Sequence, residues 1–226
     1  MLEILTKLIP NVMNDLPRLY KSVIQTFIML IHSGLISFFI GGLLGILLVV
    51  AKKDGILENK LIYNILSNII NFFRAIPFII LLAMLVPLTR LIMGTAIGVK
   101  GAIVPLIFGT VPFFARQMES ALSEVDSGLI EAAQSMGSSP IAIIFRVYLK
   151  ESVAPIARGT TITAISLISL TAMAGAVGAG GLGTYAIQSG YYRNKLDIIY
   201  VSVILLVILV GIIQAIGNFI VKKSTH

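Results

Sequence analysis

Residues 23–50 contain no Asp, Glu, Lys or Arg. At about 1.5 Å of rise per residue, a helix over that run crosses a hydrocarbon core of ~30 Å with length left for tilt. Inside the run Ser37, Gly41 and Gly45 recur every fourth residue, which gives one face small enough for a neighbouring helix to approach closely. His32 also lies inside it and reads as a hydrogen-bonded packing residue in preference to a proton carrier. Lys52, Lys53 and Asp54 close the run, and Gly55 supplies a turn.

The remainder of the chain has the same character. Of 226 residues 57% are hydrophobic and 12% are charged, with a mean hydropathy of +0.99. Soluble domains carry roughly a quarter charged residues, so these values point to an integral membrane protein with a handful of spans and short loops. Cysteine is absent, which excludes disulfides, thiolate nucleophiles and Cys-ligated zinc. The net charge of +7 sits in short loops between apolar runs, where it sets topology, so a nucleic-acid surface is not expected. Residues 1–21 carry Glu3, Lys7, Asp15, Arg18 and Lys21 without the apolar core of a cleavable signal peptide, and are expected to be an extracytoplasmic N-terminal segment.

Four more spans follow. The second falls at about Tyr63–Leu88, where Asn64, Asn68, Asn71 and Arg74 share one helical face. That face cannot look at lipid, because each bare amide or guanidinium would cost several kcal/mol there. It is either an interfacial half-helix or a pore-side stripe, and Pro77 kinks or breaks it. The third span reads as about Met93–Phe114, the fourth as Val153–Val177 and the fifth as Ile198–Val221, ahead of Lys222 and Lys223. The expected fold is an all-α polytopic membrane protein of about five transmembrane helices. Its transmembrane domain would cover 22–221, and 222–226 would form a cytoplasmic tail. With the hydrophilic block 115–151 placed inside, nine Lys or Arg lie inside against seven outside, and Arg74 lies within a span. The bias has the expected sign but is small.

Chemistry is sparse in the spans. His32 and His226 are far apart in sequence, nothing resembles HExxH or a Ser-His-Asp set, and no GxxxxGK[ST] is present. Gly178-Ala-Gly180-Gly-Leu-Gly183 satisfies GxGxxG, but it follows an apolar helix in a chain with no βαβ pattern, so it reads as a glycine turn at a membrane exit. No metal or cofactor site is indicated. All ten acidic residues fall outside the expected apolar interiors, whereas proton-driven carriers keep an ionisable acid within the bilayer. Carbonyl-bound sodium would remain open to a secondary carrier. On span four Thr160, Thr163, Ser166 and Ser169 recur every third residue, with Met173 one further turn along. They line a solute path gated by the Met173 thioether, or else the hydroxyls bond back to carbonyls and pack against neighbours.

The hydrophilic block has a definite local shape. Asp126 or Ser127 caps a short helix, and Glu131 lies in its first turns, where the helix dipole favours an acid. Ala132 and Ala133 leave a bare surface that another protein can approach, and Gly137 ends the helix at a position suited to positive φ. Ser139-Pro140 then reads as N-cap and first residue of a second helix.

This block resembles the EAA loop of binding-protein-dependent ABC importer permeases, whose pattern is EAA, three residues, Gly, nine residues, Ile-x-Leu-Pro. Glu131-Ala132-Ala133, Gly137, Val147 in place of Ile, and Leu149 fall at the required spacing. Lys150 stands where the pattern has proline, and Pro155 is the residue that would break the chain later. Phe73–Leu82, Gly94–Gly98 and Ala174–Gly183 look like the methionine-importer subgroup, and the likeness spans nearly all of 20–220. The resemblance implies a non-catalytic permease of the bacterial cytoplasmic membrane that works as a homodimer with a cytoplasmic ABC ATPase dimer and an extracytoplasmic substrate-binding protein. Glu131, Ala132, Ala133, Gly137 and Leu149 would then couple to the ATPase. The solute would be methionine, with glycine betaine, phosphonate or another amino acid as alternatives.

Overall fold

The computed structural model describes residues 8–224; Glu3, Lys7 and His226 lie outside the described residues. Among these residues every regular element is helical. They are α1 (Pro10–Met13), α2 (Leu16–Ala51), α3 (Lys60–Ala75), α4 (Phe78–Met84), α5 (Val86–Met93), α6 (Gly98–Ser123), α7 (Ser127–Ser135), α8 (Pro140–Ile143), α9 (Leu149–Glu151), α10 (Val153–Ala176), α11 (Gly181–Thr184) and α12 (Leu196–Ser224). Single π-type turns occupy Ile144–Tyr148 and Tyr185–Gly190.

Four helices, α2, α6, α10 and α12, are long and apolar enough to cross a membrane, and a fifth span arises if α3 and α4 count as one broken segment. The chain is therefore a multi-pass membrane protein of the expected fold class. Two span boundaries differ from the sequence reading. The 36-residue α2 begins at Leu16, ahead of the uncharged run, and so carries Arg18 and Lys21 on its first turns. The third span starts later, at Gly98, and runs on to Ser123 instead of ending near Phe114. Gly94 takes a left-handed φ of +72° just after α5, which delays the start. The end extends because Arg116 and Glu119 pair within the helix at i, i+3.

The chain divides into two compact units, and each long helix contributes a stretch to both. The first comprises residues up to Leu35, Ile76–Gly109 and Ala164–Ile213. Its small core of Val12, Tyr185 and Ile198 is joined by Ile9, Leu19 and Val201. Asp197 clasps α1 there, accepting from the Asn11 backbone N–H at 2.8 Å and the Asn11 side-chain amide at 3.1 Å. On this unit's stretch of α2, His32 bonds through Nδ1 to the Ile28 carbonyl at 2.9 Å, one turn back. The glycine turn after α10 is held in the same unit. Gly180 and Gly181 have φ of +91° and +76°, and neighbouring backbone N–H groups donate to α2: Gly181 to Gln25 Oε1 (3.0 Å) and Leu182 to Thr26 Oγ1 (2.9 Å). No strand precedes the turn, in keeping with rejection of the dinucleotide reading.

The second unit comprises Ile36–Ala75, Thr110–Thr163 and the chain from Gln214. The small face of α2 packs here on α6. A Cβ on Gly41 would come within 2.9 Å of the Val111 carbonyl, and one on Gly45 within 2.8 Å of the Ala115 carbonyl. The Phe38 and Phe114 rings meet edge-on with centroids 4.7 Å apart.

Close approach makes Gly45 the least replaceable residue on that face. Gly45→Val would have to push the α6 backbone away, an overpacking cost of about 1–3 kcal/mol. Gly42→Ala meets only Phe114 Cε1 at 3.8 Å and fits. Thermal unfolding of the purified protein in detergent should show a lowered midpoint for Gly45→Val and an unchanged one for Gly42→Ala.

Candidate functional site

The helix pair at 127–151 is assembled from backbone hydrogen bonds and a short polar inventory. Asp126 is the N-cap of α7, and its Oδ1 accepts from the Gly128 N–H at 2.7 Å. At the other end Gly137 takes φ +74°, the Ser138 N–H reaches back to the Ala133 carbonyl at 3.0 Å, and the Gly137 N–H to the Gln134 carbonyl at 2.9 Å. Those two bonds form a Schellman cap, which uses the last carbonyls of the helix and fixes the angle at which the chain leaves. Ser139 then caps α8, its Oγ accepting from the Ala142 N–H at 3.3 Å, with Pro140 at the first helical position.

This pair sits on the core of the second unit. Val49, Phe114, Met118 and Leu122 share one apolar cluster with Ala133, Ile143 and Tyr148, and Val147 and Leu149 pack against it. Burial pushes the Tyr148 phenol above its ordinary pKa, so it stays neutral. Of the predicted coupling residues, Glu131, Ala132 and Gly137 are exposed, whereas Ala133 is buried and Leu149 half-buried. Ala133 thus belongs to the core and not to the bare surface that the sequence suggests. Its small side chain lets α7 lie close to the Phe114–Leu122 stretch of α6. Between the two helices nothing lies within 4 Å of a Cβ built on Gly137, so its requirement is conformational and not steric.

The exposed face holds more than the motif. Leu129, Met136, Ile141 and Phe145 are 48%, 78%, 68% and 66% exposed, an apolar patch that the sequence reading missed. A signal was present: α7 carries two apolar stripes, Ile130 with Ala133 and Leu129 with Ala132 and Met136, and a short helix can bury only one of them. The expected disturbance at Lys150 and Pro155 takes another form. The chain tightens into α9, pauses at Ser152 and continues as α10, with Pro155 in its first turn, where a missing N–H breaks nothing. A π turn at Ile144–Tyr148 precedes it.

On α10 the predicted path residues are in unlike environments. Thr163 is fully buried, and its Oγ1 donates to the Gly159 carbonyl at 2.8 Å, the packing alternative of the two left open by the sequence. Thr160 and Ser166 are half-buried. Ser169 is exposed, with Oγ 3.4 Å from the Ile165 carbonyl, and Met173 is 39% exposed. The expected coupling set and the expected path set lie on different elements.

Between α3 and α6 the second unit holds a polar cluster that the sequence reading did not find. Arg116 Nη1 donates to Glu119 Oε2 at 2.5 Å; Nη2 donates to Ser67 Oγ at 2.5 Å, to the Ser67 carbonyl at 3.3 Å and to Asn71 Oδ1 at 2.9 Å. Tyr63 Oη donates to Glu119 Oε1 at 3.2 Å. All four residues of the stripe, Asn64, Asn68, Asn71 and Arg74, are exposed, and Asn71 is bonded to Arg116 from the edge of that face.

Comparison with known proteins places this architecture. Residues 40–224 match the family model described as binding-protein-dependent transport system inner membrane component. The probable D-methionine transport system permease protein MetI of Vibrio cholerae is 46% identical over 202 residues, 89% of this chain and 90% of that protein. The methionine import system permease protein MetP of Bacillus subtilis is 43% identical over 214 residues, 95% of this chain and 96% of that protein. A solved chain from the inward-facing MetNI methionine ABC transporter superposes with a TM-score of 0.91 at 44% identity, covering 94% of this chain and 99% of its own. With a match over most of its length and relatives of this identity, the chain belongs to the binding-protein-dependent transport system inner membrane component family, as a membrane-spanning permease subunit.

Proposed function

We propose that this chain is the permease subunit of an ATP-driven importer for methionine. It would work as a homodimer in the bacterial inner membrane with a separate cytoplasmic ATPase dimer and an extracytoplasmic substrate-binding protein. The observation that carries the reading is near-full-length similarity to permeases named for methionine transport, at 43% and 46% identity. ATP hydrolysis then resides on the partner. Residues 1–21 are extracytoplasmic, 22–221 form the transmembrane domain and 222–226 the cytoplasmic tail.

In this reading α7 and α8 enter a groove of the ATPase. Glu131 and Ala132 face it along with the Leu129, Met136, Ile141 and Phe145 patch, which explains apolar side chains left outside the core. Ala133 and Leu149 seat the knob on its support, and the Gly137 cap sets its angle. Closure of the ATPases on ATP would move the knob and shift the permease between inward-open and outward-open states. Such a switch requires nucleotide to favour one state by several kcal/mol. Solute would pass Ser166, Ser169 and Met173; Thr163 is committed to its own helix.

Three experiments test the parts separately. In liposomes holding permease, ATPase and binding protein, labelled methionine should accumulate only with ATP, and excess glycine betaine or phosphonate should not compete. Uptake that follows either competitor would reassign the solute. Gly137→Val forces a β-branched residue into the left-handed region, a strain of at least about 1–2 kcal/mol per residue. It should preserve membrane insertion and ATP hydrolysis while abolishing most uptake; wild-type uptake would count against docking through this knob. On α10, Met173→Ala should change uptake or passive leak at least severalfold, whereas Thr163→Val should leave both at wild-type levels. The reverse pattern would move the path to the buried face.

A further inference from the structure

We propose that Arg116 is a positioning residue: its clamp makes α3 follow α6, and with it the knob that α6 carries. The proposal rests on the docking reading above and adds the step by which movement of the knob reaches a helix distant from it in sequence. Two different kinds of contact build the train. From α7 and α8 to α6 the join is apolar, through Ala133, Ile143, Phe114, Met118 and Leu122. Close-packed apolar side chains of this kind move as one body.

From α6 to α3 the join is mostly polar. Ile70 is the one buried residue of α3, packing with Leu48 and Ala115, flanked by half-buried Tyr63 and Leu66. One apolar anchor allows a helix to roll about it. The guanidinium removes that freedom, because its fixed planar fork holds Glu119 on α6 and, one turn apart on α3, Ser67 and Asn71. Tyr63 closes the ring from α3 onto the other Glu119 oxygen. The ion pair is 18% and 15% exposed, so water does little to loosen it. The helix set in this way presents Asn64, Asn68 and Arg74 outward.

Lysine keeps the charge but not the fork, so Arg116→Lys separates geometry from electrostatics. The chain has no cysteine, and Asn68→Cys therefore gives a single reporter thiol on the free face of α3. The complete complex with ATPase and binding protein is reconstituted, and three quantities are read: ATPase retained on copurification, solute moved per ATP hydrolysed, and the nucleotide-dependent change in labelling of the reporter thiol by a polar maleimide. Arg116→Lys should retain the ATPase in full, lower solute per ATP about tenfold, as expected for loss of charge-assisted hydrogen bonds, and abolish the labelling response. The double variant Ser67→Ala, Asn71→Ala leaves both charges in place and should do the same, which keeps the test decisive if Arg116→Lys folds poorly. Wild-type solute per ATP in the double variant overturns the proposal. So does loss of the ATPase on copurification, since Arg116 would then merely support the knob. Failure of docking itself is read apart from this, by wild-type uptake in Gly137→Val.

Discussion

Hydrocarbon supplies no hydrogen-bond partner, and that single absence organises the whole chain. A buried polar group left unpaired costs about 1–3 kcal/mol, more than a typical made bond returns. The long helices satisfy their backbones internally, and several of their hydroxyls do likewise, although Ser37 on α2 and Thr110 on α6 are buried without a partner. Thr26, Ser33, Thr161, Thr163 and Ser202 each donate to the carbonyl four residues earlier. Where the backbone must leave a helix, at Gly178–Gly183, the freed N–H groups find Gln25, Thr26 and Thr184. The glycine sequence that mimics a dinucleotide fingerprint is thus a device for turning the chain with its donors occupied.

The same constraint separates two ways of joining helices. Apolar packing is non-directional, so α7 could sit on α6 in several orientations; caps at Asp126 and Gly137 choose one. Between α3 and α6 the apolar contact is thin, and direction comes from the Arg116 fork. Rigidity therefore resides in covered apolar surface, while orientation is set by a few polar atoms.

How much could be read in advance follows from which forces are local. Caps are local: Asp126, Gly137 and Ser139 act where the sequence places them, because each involves neighbours within a few residues. Spans are nearly local, and the Ser37–Gly41–Gly45 face was legible because a spacing of four needs no knowledge of the partner. Helix ends were less so. Arg116 and Glu119 looked like the start of a loop only while counted as separate charges; paired, they continue α6. Burial of Ala133 was not legible, since two apolar stripes on α7 compete and only the position of α6 decides between them. Asn71 differs from Asn68 for the same reason: its partner lies 45 residues away.

The Arg116–Glu119 pair also bears on the source of energy. With α6 extended to Ser123, Glu119 becomes an acid within a span-length helix, the kind of residue a proton-driven carrier would use. Its surroundings argue otherwise. One carboxylate oxygen accepts from Arg116 and the other from Tyr63, so both are engaged and the adjacent guanidinium balances the charge. A carboxylate so placed holds α3 and α6 in register. In the docking reading proposed above, work enters instead through the capped helix pair, with its exposed Leu129, Met136, Ile141 and Phe145.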